Sequence, residues 1–122
     1  MNIIKSDYLV EVDVDDTLVL WDISEFPASE YITVQGVNGP VTLVPHHKNI
    51  KTLIKFWKLG YTIVVHSHSG WEWATIVVGA LKLQSLVHTV KSKARYYFDD
   101  QPIESFSGPR VYRNPKTGVS EK

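Results

Sequence analysis

Three carboxylates fall within four residues at Asp13-Val14-Asp15-Asp16, directly after the apolar run Tyr8-Leu9-Val10-Glu11-Val12. That run reads as a buried strand, so the negative charge is concentrated at a strand end. Like charges in one site resist joint ionisation, and a divalent cation held by oxygen ligands is the simplest compensation. Mg2+ suits one or two carboxylates plus a phosphate. In an extended segment Asp13 and Asp15 point to the same side, because side chains alternate with period two. Two carboxylates facing one small site can divide the work, one attacking as a nucleophile while the other moves protons.

Two further segments carry compatible chemistry. His66-Ser67-His68-Ser69-Gly70 leaves a second apolar run, at 61–65, and opens a helix. Hydroxyls and free backbone N–H groups at a helix N-terminus form a ready anion site. Ser69 and Glu72 have capping-box spacing, which makes Ser69 the expected N-cap. Further on, Lys93 stands shortly before Arg95-Tyr96-Tyr97-Phe98, which reads as a strand, and Asp99-Asp100 follows it.

In this order the set resembles the haloacid dehalogenase-like (HAD) superfamily, whose first motif is Asp-x-Asp-x-Thr at the end of the first strand. The resemblance covers the chain from about Leu9 to Tyr112. It implies a nucleophile at Asp13, a proton carrier at Asp15 and a charge-neutralising lysine at Lys93, with Lys91 as the competitor for that place. It also implies that Thr17, Ser67 and His68 contact the phosphorylated substrate, and that Asp13, Asp15, Asp99 and Asp100 hold Mg2+. Members of the family often have Pro after the motif lysine; here Ala94 stands there. The activity implied is phosphate-monoester hydrolysis through an aspartyl phosphate. Asp15 favours a hydrolase over a P-type ATPase, where a Thr stands at that position.

The elements that would position these residues follow from periodicity and turn chemistry. Ile50, Leu53, Ile54 and Trp57 lie on one stripe of an amphipathic helix, and Gly60 is placed to end it. Trp73, Ile76, Val77, Ala80 and Leu81 form a second stripe. Runs at 31–34 and 41–44 flank the turn-rich segment 35–40 and predict a hairpin. Strands are expected at 61–65, 86–90, 95–98 and 110–113, and the polar tail 114–122 is expected to be mobile. Strands alternating with helices predict an α/β, doubly wound, mostly parallel sheet, with ligands beyond the carboxyl ends of the strands. Segment 21–45 is too short for a cap domain and is expected to be a mobile hairpin flap.

The 122 residues fit one domain. Thirteen basic and thirteen acidic residues cancel, so composition offers no general attraction to nucleic acid or membrane. Cysteine is absent, which excludes disulfides, thiolate zinc sites and cysteine nucleophiles, and fits a reducing cytoplasm. The first residues lack a secretory pattern and no apolar run reaches membrane-spanning length, so a soluble cytoplasmic protein is expected. His66 and His68 could share one face, but hard oxygen ligands dominate the site and argue against zinc. His46 and His47 read as helix-start residues, with a substrate contact by one of them as the alternative, and His88 as a surface one. Trp21, Phe26, Tyr31 and Trp71 read as flap-packing aromatics, with stacking on a nucleobase as the alternative.

A nucleotide or nucleic-acid terminal phosphate is the expected substrate, suggested by those aromatics and by small capless family members among phage proteins. Two rival readings are a non-catalytic phosphate-binding protein on the same fold and a receiver-like phosphoacceptor domain. Receivers place their acidic pair early and their lysine near the end. Here the lysine precedes a late acidic pair, and no carboxylate ends the strand at 61–65. Oligomeric state is left open.

Overall fold

The computed structural model describes residues 7–102 and the short strands Tyr112–Arg113 and Ser120–Glu121. Three parallel strands form the sheet that carries the site: β1 (Leu9–Asp13), β5 (Thr62–Ser67) and β6 (Val87–Ser92), in the order β1-β5-β6. Between β1 and β5 the chain builds β2 (Val19–Leu20), β3 (Ile32–Gly36), β4 (Gly39–Pro45) and helix α1 (His47–Lys58). Helix α2 (Trp71–Ala80) links β5 to β6. A single 3-10 turn, Ala28–Glu30, precedes β3. Tyr112–Arg113 (β7) pairs antiparallel with Ser120–Glu121 (β8).

The protein is α/β, with two helices, a small parallel sheet and an antiparallel sheet of order β2-β4-β3 among the described residues. Both crossovers step the same way, from β1 to β5 to β6. Crossover connections are right-handed, so two steps in one direction put both helices on one face of the sheet. The core agrees: Leu53 of α1 and Trp73, Ala74, Val77 and Val78 of α2 cluster with Ile63 and Val65 of β5. Residues aligned across parallel strands share a face, so Glu11, Asp13, Val64, His66, Thr89 and Lys91 belong to the opposite one. That face bears most of the sheet's charge.

The hairpin expected at 31–44 forms, with a tighter turn. Gly36 pairs with Gly39, so only Val37 and Asn38 lie between the strands. Pro40 is accommodated because β2 reaches β4 only at Val44 and Pro45, leaving that stretch of β4 paired on one side. Val34 and Leu43 are buried in the shared core. The hairpin therefore has one face built into the domain, and it is more than a flap.

Several local expectations are corrected. Gly60 (φ 93°) ends α1 as anticipated, but Trp57 is exposed; Phe56 turns inward instead and meets Tyr61 edge-on, 5.1 Å between ring centres. The β6 strand runs on through Lys91 and Ser92, beyond the expected 86–90. Residues 95–98 form no strand, and Tyr96 and Phe98 are almost fully exposed. Strand propensity there finds no partner strand, and propensity without pairing does not make a strand. Of the strand expected at 110–113, Tyr112 and Arg113 are strand; residues 110–111 lie outside the described residues, as does most of the tail, from which only Ser120–Glu121 is described.

Candidate active site

The chain turns sharply where β1 ends. Val14 is fully buried, and its carbonyl accepts N–H bonds from Thr17 (3.2 Å), Leu18 (2.8 Å) and Val19 (3.3 Å). Asp16 takes a left-handed conformation, φ 57°, which Asp tolerates better than most residues. Its carboxylate accepts the Trp21 backbone N–H at 3.2 Å. The start of α1 braces this loop from behind. Asn49 donates its amide to the Thr17 carbonyl at 2.8 Å, and the His46 N–H reaches the Leu18 carbonyl at 2.9 Å. His46 is itself the N-cap of α1, its Nδ1 accepting the Asn49 N–H.

Asp13 and Asp15 do not share partners. Asp13, half-buried at the end of β1, accepts the Thr17 hydroxyl on Oδ2 at 3.3 Å and has Lys93 Nζ 3.9 Å from Oδ1. Lys93 follows β6 directly, where its N–H is fixed by the Ser67 carbonyl at 2.9 Å. Lys91, the competing lysine, is held elsewhere: its ammonium lies 2.6 Å from Glu11 Oε1. Lys91 is level with His66 and Glu11 with Val64, so that ion pair crosses the middle strand. His66 Nδ1 stands 3.8 Å from the other Glu11 oxygen. Burial holds the His66 pKa below the usual histidine value; Glu11 opposes that shift, Lys93 and Lys91 reinforce it, and Asp13 opposes it. The imidazole is therefore neutral at pH 7.

Asp15 occupies a different setting. Its Oδ1 accepts two indole N–H bonds, from Trp21 at 2.8 Å and Trp73 at 2.9 Å. Its Oδ2 accepts the hydroxyls of Ser67 at 3.3 Å and Ser69 at 3.4 Å. Ser67 is fully buried at the end of β5 and also accepts the Ser69 N–H at 3.0 Å. Ser69 is consequently not the helix cap. Gly70 takes that place with φ 105° and ψ 163°, a combination open essentially to glycine alone. With no capping side chain at Gly70, Ser92 at the end of β6 accepts the Trp71 N–H at 3.1 Å. Tyr31 is structural, its hydroxyl reaching the Ile23 and Phe26 carbonyls.

The loop and strand ends thus bring together Asp13, Asp15, Thr17, Ser67 and Lys93. His68 is exposed on the loop after β5. Asp99 and Asp100 are also exposed, and Asp99 accepts the Gln101 N–H at 2.9 Å. Among the described residues no three His, Asp or Glu side chains converge as a metal-holding group, so Asp99 and Asp100 do not join Asp13 and Asp15 here. The donor chemistry of that pair still fits Mg2+, which takes one or two protein carboxylates and fills its remaining positions with water and phosphate. Because Asp15 already accepts four hydrogen bonds, Asp13 is the member with lone pairs to offer.

Sequence reasoning missed Asn49, Glu11 and Trp73. Asn49 and Glu11 carry no signal beyond their proximity to helix and strand ends. Trp73 has one: it lies in the first turn of a helix that starts beside the site. No protein-family model, characterised protein or solved structure matches this chain.

Proposed function

We propose that the chain is a Mg2+-dependent phosphatase of the HAD-like type, acting in the cytoplasm on a phosphate monoester. One observation carries the reading. A lysine ammonium lies 3.9 Å from one strand-end carboxylate, while the second carboxylate in the same loop is held apart by four neutral donors. In this reading an Asp13 oxygen attacks phosphorus in line, and the ester P–O bond breaks as Asp15 gives its proton to the leaving alkoxide. Asp15 then takes a proton from water, whose oxygen attacks phosphorus and releases phosphate from Asp13. Lys93 faces charge on the phosphoryl oxygens, the main task in phosphoryl transfer, while the Ser67 hydroxyl holds Asp15 in place. Bound Mg2+ would supply further neutralisation there.

The finer fold belongs to the same proposal. Among the described residues β1 is paired on one side only, by β5. That open edge leaves room for the further parallel strand that a doubly wound core requires. Exposed Trp21, Trp71, Tyr96 and Phe98, with Lys91, Lys93 and Arg95 nearby in the chain, support a nucleotide or nucleic-acid terminal phosphate as substrate. Steady-state turnover of p-nitrophenyl phosphate with Mg2+ and with excess EDTA tests the reading. Turnover that requires Mg2+ and disappears in Asp13→Asn is expected; undiminished turnover in EDTA, with metal removal verified, would overturn it.

A further inference from the structure

The two oxygens of Asp15 are held unequally. Oδ1 accepts both indoles, at 2.8 and 2.9 Å, and a carboxylate oxygen has about two lone-pair sites. Oδ2 has only the longer hydroxyl contacts, 3.3 and 3.4 Å. An indole N–H donates and cannot accept a proton, so neither tryptophan can take over Asp15's exchange. Trp73 is buried, and its ring is seated against the hairpin: a Cβ at Gly36 would stand 3.4 Å from its Cζ3. Trp21, which follows β2 directly, is half-exposed and lies on Trp73 with ring centres 5.8 Å apart and planes tilted by 39°.

We propose that Trp21 and Trp73 form an indole clamp that locks Oδ1 of Asp15 and leaves Oδ2, whose serine hydroxyl partners can turn from donor to acceptor, as the oxygen that exchanges protons. This deepens the phosphatase reading and rests on it. Both tryptophans are positioning residues, acting through Asp15. The seat of Trp73 under Gly36 ties the orientation of this carboxylate to the hairpin, so substrate contacts on the hairpin reach the proton carrier without touching it.

Indole N–H resonances of the full chain test the clamp directly. The four tryptophans give four signals, assigned with Trp21→Phe and Trp73→Phe. Asp15→Ala should move the Trp21 and Trp73 signals and leave Trp57 in place. In turnover, Trp21→Phe should lower kcat for an alkyl phosphate about tenfold, the scale of losing a hydrogen bond to a charged group, with KM nearly unchanged. The pre-steady-state burst with p-nitrophenyl phosphate should persist, because nitrophenolate leaves without a proton. Unmoved Trp21 and Trp73 signals in Asp15→Ala would sink the clamp whatever the turnover. Equal loss of burst and alkyl-phosphate turnover would reduce the indoles to packing. A wild-type chain that hydrolyses no phosphate ester would instead remove the phosphatase reading, with the resonances still deciding the clamp.

Discussion

Replacing Asn49 should loosen the acidic loop from behind while leaving every proposed catalytic side chain in place. The Asn49 amide donates to the Thr17 carbonyl at 2.8 Å from a position only 8 % exposed, 32 residues away in sequence. Asn49→Ala removes that donor and leaves a sheltered carbonyl without it. Such losses cost about 1–3 kcal/mol, and the middle of that range, about 2 kcal/mol, changes the folded-to-unfolded ratio roughly thirtyfold. For a domain of this size the melting temperature should fall by roughly 8 °C. Asn49→Asp keeps the shape but has no N–H to donate, so it should lose at least as much. Lys51→Ala, on an exposed position of the same helix, is the control and should stay within about 0.5 kcal/mol. Urea melts of the three variants read the stabilities. If Asn49→Ala and Asn49→Asp both match the control, the loop holds itself and the bracing by α1 contributes nothing.

Three further outcomes follow from the same geometry. Lys93→Ala should lower kcat by several orders of magnitude and Lys91→Ala by far less, since only Lys93 stands beside Asp13; the reverse order in steady-state kinetics would move the phosphoryl-binding role to Lys91. Because burial lowers the His66 pKa below 6.5, the unfolded chain binds the extra proton first, so stability is full above about pH 6.5 and is lost as pH falls through the lower folded value. His66→Gln should flatten that part of the melting-temperature profile, and an unchanged profile would assign the loss to other groups. Leu43→Ala, in the buried face of the hairpin, should cost about 2–5 kcal/mol, whereas a freely moving flap would tolerate it in a denaturant titration.

The chemistry-bearing turns were the most legible part of the chain. Asp13 to Thr17 and Ser67 stand at strand ends as their spacing suggested, and Gly60 closes α1, because local backbone preferences decide those points. Competition decided others. Ser69 has capping-box spacing, yet its hydroxyl goes to Asp15 and Gly70 starts the helix, since a distant carboxylate outbid the local cap. The stripe through Ile50 and Leu53 fits Trp57 by period, but the small core takes Phe56 against Tyr61. Residues 95–98 have the composition of a strand and lack its partner. Placement of both helices on one face depends on strand order, which no local pattern encodes. The Asp15 clamp joins residues 6 and 58 positions away, and nothing in a one-dimensional pattern marks which indole will face which carboxylate.

In the proposed reaction an Asp13 oxygen forms the bond to phosphorus. Beryllofluoride, a phosphoryl mimic, added with Mg2+ to the full chain, reads this through 19F resonances of the bound species. The expected result is a bound signal in the wild type that also appears in Asp15→Asn and vanishes in Asp13→Asn, with all three chains equally folded. A bound signal that survives in Asp13→Asn, or that requires Asp15 or Asp99 in place of Asp13, would contradict the assignment.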